Sequence, residues 1–408
     1  MILLLGIPYV LAFWLIGWKW PKVALMLIFA SAPFQYDIST GGPVRFSFAE
    51  VNLLLTVPLF IARSPILLGP VSLPMGLYFG VSLVSTFAHW RDSSLVSLIQ
   101  MALYLIVAVI VFTSFAPTIE DYRLALMGLL WVGAVLAVAV VVTRSGYVLK
   151  LHKNGVGSSL ANAVVVGAEL WFSARNPRQR KLLAFLVGLL TAGLFFTLSR
   201  GAWLGAFCGL TILLALRREY RLICRSAVVL VPLIAICWQL LPEQSQGYAT
   251  GFNRENYNIR LRLDSIEFAR TQFEQRPILG VGVGLRKEYD ATNLFWLTLA
   301  ETGVPGLIAL MVVHASLLRM VWKTQKHLVH SDFLFSLVAL GGALIAAKFI
   351  HGMVDHYWSR GPIMIAWAAA GMATRGHFVT LLRLRHHRAQ ARLPQRQEEP
   401  TSLEPMTV

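Results

Sequence analysis

Apolar runs of 16 to 23 residues recur along most of this chain, and they limit its possible folds more than any other feature. Each run is about long enough to cross a hydrocarbon core of roughly 30 Å as a helix. Only 14% of the residues are charged, whereas a soluble domain is usually about one-quarter charged. The sequence therefore predicts an all-α membrane protein, a polytopic transmembrane helical bundle of about 12–13 spans.

The alternation of apolar runs and polar breaks divides the chain into one integral membrane domain, residues 1–375, and a basic tail, residues 376–408. The longest polar segment, residues 242–291, is predicted as a large extracytoplasmic loop between spans 10 and 11. The tail is rich in arginine and contains proline, so it is predicted to be disordered or to lie on the inner membrane surface. The predicted spans are residues 2–18, 22–38, 48–63, 71–90, 94–116, 122–143, 158–174, 180–198, 200–216, 222–241, 292–321, 332–352 and 357–373.

The net charge of +16 is explained by basic segments between the spans and does not require a nucleic-acid partner. In membrane proteins, lysine and arginine collect in cytoplasmic loops. When the spans alternate, five basic segments fall on one side, which is therefore predicted to be cytoplasmic and to carry the C-terminus. These segments are residues 19–22, 175–181, 217–221, 319–326 and 383–392.

The opposite side is predicted to be extracytoplasmic, and it carries three polar clusters that are far apart in the sequence. They are the Ser199–Arg200 junction, the loop 242–291 and the stretch "HGMVDHYWSR" at residues 351–360. A charged side chain at membrane depth costs a few kcal/mol. A charged junction such as Ser199–Arg200 therefore indicates a function that repays this cost.

Four stretches of the chain resemble the bacterial O-antigen ligase and polymerase family, whose members are membrane enzymes that move glycans off undecaprenyl diphosphate. The order and spacing of the motifs extend the resemblance over a core region of about residues 180–375. The motifs are typical of the superfamily as a set and do not select one member of it. The stretches are "FQYDISTGGPVRFSFAEVNLLL" (34–55), "FTLSRGAWLGAF" (196–207), "RLDSIEFARTQFEQRPILGVGVG" (262–284) and "TNLFWLTLAETGVPGLIAL" (292–310).

The resemblance implies a bacterial inner-membrane protein of about twelve spans under an external loop domain, without a metal, a nucleotide sugar or another cofactor. It also implies that one arginine of the Ser-Arg-Gly motif and one arginine of the long loop hold the donor diphosphate. Arg200 and Arg262 match these positions, and Arg260 and Arg254 lie close enough in sequence to substitute for the second. Where the family has His-Asn, with the histidine as the proposed base, this chain has Thr292–Asn293.

Arginine suits the implied role because its guanidinium is always charged and donates paired hydrogen bonds to phosphate oxygens. Two fixed arginines would stabilise the negative charge that develops on a diphosphate leaving group. Arg200 also stands at the start of a predicted span, where the helix N-terminus adds partial positive charge. Two alternatives stay open. Arg200 could snorkel to lipid headgroups, and Arg262, on an amphipathic helix predicted over 259–276, could belong to a solvated face.

The stretch at residues 351–360 supplies candidates for the base that a threonine at the family's histidine position cannot provide at neutral pH. His351 and Asp355 are four residues apart and can share a helix face, and His356 follows them. A carboxylate beside a histidine raises its basicity. These three residues are therefore predicted to be catalytic. The alternative is an interfacial cluster anchored in the aromatic belt of the membrane.

Several other polar residues are weaker candidates. Glu301 is predicted to lie about two turns from Asn293 on the same helix, where an acid needs either a structural partner or a ligand. Asp37 and Arg45 could contact an acceptor or a headgroup. "PILGVGVG" (277–284) lacks the Lys-Ser/Thr pair of a P-loop and is predicted to be a tight turn. The predicted substrate-binding residues are therefore Arg200, Arg262, Arg260, Ser199, Asn293 and Glu301.

The leading functional hypothesis is a metal-independent glycosyltransferase whose donor is a glycan on undecaprenyl diphosphate. Its acceptor hydroxyl would belong to a growing glycan, to lipid A–core or to a protein. Membrane lipids would surround the enzyme. The missing histidine favours an exopolysaccharide polymerase or a divergent ligase over a standard lipid A ligase. The alternatives are an anion transporter of the bicarbonate type and a non-catalytic component of polysaccharide export. A transporter should show inverted repeats or paired broken helices, and the sequence shows no internal repeat.

Overall fold

The computed structural model describes residues 2–36, 38–39, 45–222, 257–289, 292–358 and 360–392, together with the isolated positions 235 and 239. Most of this part of the chain is helical, and the helices pack around a continuous apolar core. The helices are α1 (Ile2–Lys19), α2 (Pro21–Ser31), α3 (Phe48–Arg63), α4 (Ser72–Ala88), α5 (Ser94–Ser114, with a π-helical segment at Ala102–Ala108), α6 (Asp121–Thr143), α7 (Lys153–Ser173), α8 (Pro177–Phe196), α9 (Arg200–Leu216), α10 (Tyr257–Gln275), α11 (Leu285–Glu288), α12 (Leu294–Gln325), α13 (Phe333–Gly352) and α14 (Pro362–Arg392).

The helices confirm the predicted all-α class, and every predicted span that the structure describes overlaps a helix. Two of the predicted spans, α3 and α9, have the predicted bounds. Six described helices are long and apolar enough to cross a membrane, and three shorter apolar helices accompany them. The predicted span 222–241 and the first part of the loop 242–291 lie outside the described residues. The count of about 12–13 spans and the position of the loop therefore stay predictions.

The second predicted span, residues 22–38, is wrong at its C-terminal end. α2 ends at Ser31, because Pro33 cannot donate the next helical hydrogen bond. The chain then forms a short antiparallel ribbon instead of continuing as a helix. Its strands are β1 (Ile38–Ser39) and β2 (Arg45–Phe46).

Residues 376–392 are helical and not disordered, while the alternative prediction, that the tail lies on the inner membrane surface, stays a prediction. α14 starts later than the predicted span 357–373 and continues without a break to Arg392. Arginine, leucine and alanine make up nine of its last sixteen residues, and these residue types favour a helix. Residues 393–408 lie outside the described residues.

α9 packs closely against α13 along a stripe of glycines. Gly201, Gly205 and Gly209 are four residues apart and therefore share one face of α9. A Cβ added at Gly201 would lie 3.0 Å from His351 Cδ2, and one added at Gly209 would lie 3.1 Å from Ala347 Cβ. Small residues allow such close approach of helices in membranes. The stripe fixes the start of α9 beside the end of α13.

α12 is interrupted near its start by Gly303, whose φ of +66° is not helical. The turn 277–284 packs against this interruption, and the Val281 N–H donates to the Ala300 carbonyl at 2.8 Å. Gly282 has a φ of +88°, and a Cβ there would collide with the backbone of the α4–α5 connection. The structure confirms the prediction that "PILGVGVG" is a tight turn, and it shows that the turn needs glycine.

Candidate active site

The structure brings all three predicted polar clusters together at one end of the bundle. They are the start of α9 with Arg200, the turn after α13 with His351 and Asp355, and α10 with Arg262. α10 belongs to the described part of the predicted loop 242–291. Segments more than 150 residues apart in the sequence therefore border the same small region.

The junction between α8 and α9 holds Arg200 in place. Ser199 occupies the N-cap position of α9 without a side-chain capping bond; it is buried, and its hydroxyl donates to the Asn154 side chain at the start of α7, at 3.3 Å. Leu198, just before it, has a left-handed φ of +53°. Arg200, the first residue of α9, follows this tight turn and is partly exposed, and its neighbour Gly201 packs against His351. Ser199 thus has a structural contact of its own.

Asp355 is the centre of the cluster and is only 3% exposed. Its Oδ2 lies 3.6 Å from Nη2 of Arg262 and 3.8 Å from Nε2 of His351. Its Oδ1 accepts a hydrogen bond from the backbone N–H of His356 at 2.7 Å. One carboxylate therefore connects the arginine predicted to bind the diphosphate with the histidine predicted to act as a base.

The cluster contains buried polar atoms whose hydrogen bonds are not made by the described residues. Among the described residues, neither ring nitrogen of His351 nor Oδ2 of Asp355 has a hydrogen-bond partner, although all three atoms are buried. Buried polar atoms in proteins are usually paired, so these atoms could receive a ligand. Burial alone would raise the pKa of Asp355, but His351, His356 and Arg262 outweigh it and hold that pKa below its ordinary value. The carboxylate is therefore ionised at neutral pH.

Asn293 holds the turn that follows α13. It caps α12, since its side-chain oxygen accepts from the Trp296 N–H at 3.1 Å. Its side-chain NH₂ donates to the Met353 carbonyl at 2.8 Å. Asn293 thus fixes the backbone two residues before Asp355, and the structure shows it as a positioning residue at the edge of the cluster.

Thr292 occupies the position at which the resembled family has its histidine. Its hydroxyl lies 3.2 Å from the hydroxyl of Ser265 on α10. Ser265 is buried and also donates to the Arg262 carbonyl at 2.9 Å. The threonine therefore attaches the helix that carries Arg262 to the start of α12, and its hydroxyl is already engaged.

Glu301, predicted to bind substrate, is engaged with backbone donors. Its carboxylate accepts from the Gly284 N–H at 2.8 Å, at the start of α11. Its backbone carbonyl accepts from the Ser85 hydroxyl at 2.5 Å and from the Gly282 N–H at 3.1 Å. Of the two alternatives that the sequence left open, a structural partner or a ligand, the structure shows a structural partner, the backbone at the start of α11. Glu301 holds the tight turn in the interruption of α12.

The remaining predicted residues lie at the margin of the cluster or outside the described residues. Arg260 is exposed on α10, two residues before Arg262 and so roughly 200° around the helix axis from it. Arg45 lies in the β-ribbon. Asp37 and Arg254 lie outside the described residues.

Two cations that the sequence interpretation missed hold the turn after α13. Lys348 is 2% exposed on α13, and its Nζ donates to the His356 carbonyl at 2.8 Å. Arg286, at the start of α11, donates through Nη1 to the Trp358 carbonyl at 2.6 Å. The signal for Lys348 was available, because a lysine inside a 20-residue apolar helix needs a partner. For Arg286, nothing in the local pattern indicated its acceptor.

Residues 184–347 match the family model described as O-antigen ligase. The matched region contains Arg200, Arg262 and Asn293, and it ends four residues before His351. This match confirms the resemblance that the motifs carry. No curated protein sequence matches the chain.

Proposed function

We propose that this chain, which carries an O-antigen ligase domain over residues 184–347, is a glycosyltransferase of the bacterial inner membrane. Its donor is a glycan on undecaprenyl diphosphate, its acceptor is a hydroxyl group, and its active site faces the extracytoplasmic side. The observation that carries the proposal is the Arg262–Asp355–His351 cluster beside the start of α9, whose first residue is Arg200. This arrangement combines cations for a diphosphate with a buried base for a hydroxyl.

Arg200 and Arg262 bind the donor diphosphate in this proposal. Negative charge grows on the diphosphate as the glycosidic bond breaks, and fixed guanidinium groups stabilise it where it develops. Arg200 is held by the packing of α9 on α13. Arg262 is 31% exposed, and its 3.6 Å separation from Asp355 is longer than a hydrogen bond. Its guanidinium can therefore turn toward phosphate oxygens.

His351 takes the proton from the acceptor hydroxyl, and Asp355 stabilises the imidazolium that results. The hydroxyl oxygen bonds to the anomeric carbon as the bond from that carbon to the diphosphate oxygen breaks. Undecaprenyl diphosphate leaves with the bonding electron pair. The 3.8 Å separation of Nε2 and Oδ2 is long, and such contacts often tighten only when substrate binds.

The contact between Thr292 and Ser265 supports a divergent ligase or an exopolysaccharide polymerase over a standard lipid A ligase. Threonine is a poor base at neutral pH, and this hydroxyl is paired at 3.2 Å. The cluster at His351 and Asp355 supplies the base in its place. Thr292→Val should therefore leave the transfer rate within about an order of magnitude of wild type, through loss of one hydrogen bond.

The test uses the full-length protein in nanodiscs with an undecaprenyl-diphosphate oligosaccharide and candidate acceptors, namely lipid A–core and a free oligosaccharide. Release of undecaprenyl diphosphate is measured. We expect release to depend on an acceptor and to fall by about 100-fold or more in Arg200→Gln and Arg262→Gln.

Arg270→Gln is the matched control, because Arg270 is on the same helix as Arg262 and pairs with Glu274 on an exposed face at 2.8 Å. Its rate should stay within about twofold of wild type. Wild-type rates in both Arg200→Gln and Arg262→Gln would refute the proposal. So would glycolipid binding without release for every acceptor, which would instead support a non-catalytic export component.

A further inference from the structure

We propose that the end of the bundle opposite the candidate active site binds the phosphate headgroup of an anionic phospholipid, in a cavity lined by Arg63 and Arg375. The cavity has a volume of about 360 Å³ and lies between the ends of α3 and α5, the start of α2 and the middle of α14. Its volume is in the usual range for small-molecule sites, roughly 300–1,000 Å³. The glycosyl-transfer proposal does not use this cavity.

Two helices independently place the cavity far from Asp355. α14 begins in the turn after Asp355, and Arg375 lies thirteen residues into it, a rise of roughly 20 Å. Glu50 on α3 lies 3.9 Å from Arg360 in that same turn. Arg63, at the end of α3, is thirteen residues further along, again roughly 20 Å. The cavity and the active-site cluster are therefore separated by most of the thickness of a bilayer core.

The charges of the cavity are those of an anion site. Among the described residues, no carboxylate lines the cavity and none lies within ion-pair distance of Arg375. Arg375 follows a long run of buried residues in α14, and a guanidinium at such a position needs an anionic or polar partner. Ser64 and Ser114 add hydroxyl groups to the lining. Guanidinium groups and hydroxyls together match phosphate oxygens.

The rim of the cavity has the chemistry of a membrane interface. Arg63 lies over the ring of the exposed Trp18, 4.9 Å from its centre. In the segment that follows α3, Ile66 and Leu68 are both about 60% exposed. Tryptophan is enriched at headgroup level, while exposed aliphatic side chains next to it suit acyl chains. The occupant is therefore expected to carry a phosphate and a hydrocarbon part, as a phospholipid does.

The test measures lipid retention by the full-length protein in native mass spectrometry. We expect the wild type to retain phosphatidylglycerol in preference to phosphatidylcholine. Each of Arg63→Gln and Arg375→Gln should reduce phosphatidylglycerol retention roughly fivefold, and the double variant roughly 25-fold.

The matched control is Arg180→Gln. Arg180 lies 4.4 Å from the centre of the Trp171 ring, so it has the same arginine–tryptophan contact as Arg63 but does not line the cavity. Its phosphatidylglycerol retention should equal that of the wild type. An equal loss in this control would show a general surface-charge effect and overturn the proposal, as would unchanged retention in the double variant.

Inorganic phosphate provides the second arm of the test. Displacement of the lipid by millimolar phosphate alone would assign the cavity to free phosphate and would also overturn the proposal. Thermal unfolding checks that each variant is folded. If the Arg375 variant does not fold, the exposed Arg63 is tested alone and should still show the roughly fivefold loss. The lipid-binding proposal makes no prediction about the release of undecaprenyl diphosphate. The lipid-binding and glycosyl-transfer proposals can therefore fail independently.

Discussion

Two buried carboxylates in this bundle have opposite surroundings. Glu169 on α7 is fully buried, and Arg217 at the end of α9 donates to it through both Nε, at 2.6 Å, and Nη2. Arg217 also donates to the His330 carbonyl at 3.2 Å. Asp355 is nearly as buried, but the side chains of its partners stay 3.6 Å or more away.

This difference separates a structural pair from a functional cluster. A buried ion pair offsets its desolvation only when its geometry is close and its remaining hydrogen bonds are made. The pair of Glu169 and Arg217 meets this condition with side chains of the protein itself. The cluster at Asp355 does not, and its unpaired atoms point to a missing partner such as a substrate. The sequence analysis singled out Asp355 by its spacing to His351, whereas nothing in the sequence indicated the partner of Glu169.

Removing the charge of Asp355 should give the largest effect, and it should be on activity. Asp355→Asn is expected to lower acceptor-dependent release of undecaprenyl diphosphate by about 10²–10⁴-fold, because the imidazolium of His351 loses its counter-charge. The unfolding temperature should fall by less than it does when Glu169 loses its charge, because the amide oxygen of asparagine can still accept the hydrogen bond from the His356 N–H. Asp332→Asn, at the far end of α13, is the control and should keep its activity. Equal activities of the two variants would remove Asp355 from the mechanism.

Removing the charge of Glu169 should affect stability instead. Glu169→Gln leaves Arg217 buried without a counter-charge, so the free energy of unfolding is expected to fall by about 3–5 kcal/mol. Glu120→Gln breaks an exposed pair with Arg123 and should cost less than about 1 kcal/mol. Thermal unfolding in detergent measures both variants. A stable Glu169→Gln protein with reduced turnover would reverse the assignment of the two carboxylates.

A substitution in the tight turn that borders the active-site end should have an effect of intermediate size on stability. Gly282→Ala forces a side chain onto a φ of +88° and against neighbouring backbone, at an expected cost of about 1–3 kcal/mol in unfolding free energy. Gly188→Ala on α8 adds a methyl group where no atom lies within 4 Å, so it should be neutral or slightly stabilising. Thermal unfolding again distinguishes them. Equal stability of the two variants would contradict the role of the turn.

The smallest effect should be a change in pH dependence. The Arg262 guanidinium helps to lower the pKa of Asp355, so Arg262→Gln should raise that pKa. The carboxylate would then be protonated at a higher pH, and the acidic limb of the normalised kcat/KM profile should move to higher pH. Arg262→Lys keeps the charge and should leave the limb near its wild-type position. An unmoved limb in Arg262→Gln would show that the ion pair does not tune the site.

The stability of the fold should depend on pH in the same direction as the activity, and should be lower at acidic pH. The folded pKa of Asp355 lies below its value in the unfolded chain, so its ionised form stabilises the fold. This contribution is complete above the ordinary pKa of an aspartate. It is lost as the pH falls through the depressed folded value.

The sequence was sufficient to place the helices and to anticipate which distant segments meet. Apolar runs in a bilayer must satisfy their backbone hydrogen bonds internally, so they form helices. Alternation of spans then put Arg200, Arg262 and Asp355 on one side, although 93 residues separate the last two. The structure places all three at one end of the bundle. The exceptions were local: Pro33 shortened α2, and helix-forming residues extended α14.

The detailed contacts of the site could not be predicted, because their partners are mostly backbone atoms. Lys348, Arg286 and Asn293 all bind carbonyl groups of the turn after α13, and Glu301 binds a backbone N–H. Any residue type supplies such groups, so the sequence carries no signal for the pairing. The pairing of Thr292 with Ser265 depends equally on the fold.

The glycine stripe of α9 has a consequence for how substrate enters. With Gly201 and Gly205 in close contact with α13, that helix pair cannot slide or separate without opening a void. On the other side of the site, α10 is attached near its middle by the hydrogen bond between the hydroxyl groups of Ser265 and Thr292. We therefore expect the site to open on the Arg262 side to admit a bulky lipid-linked sugar. Arg200, on the other side, should stay in place when the site closes again on this substrate.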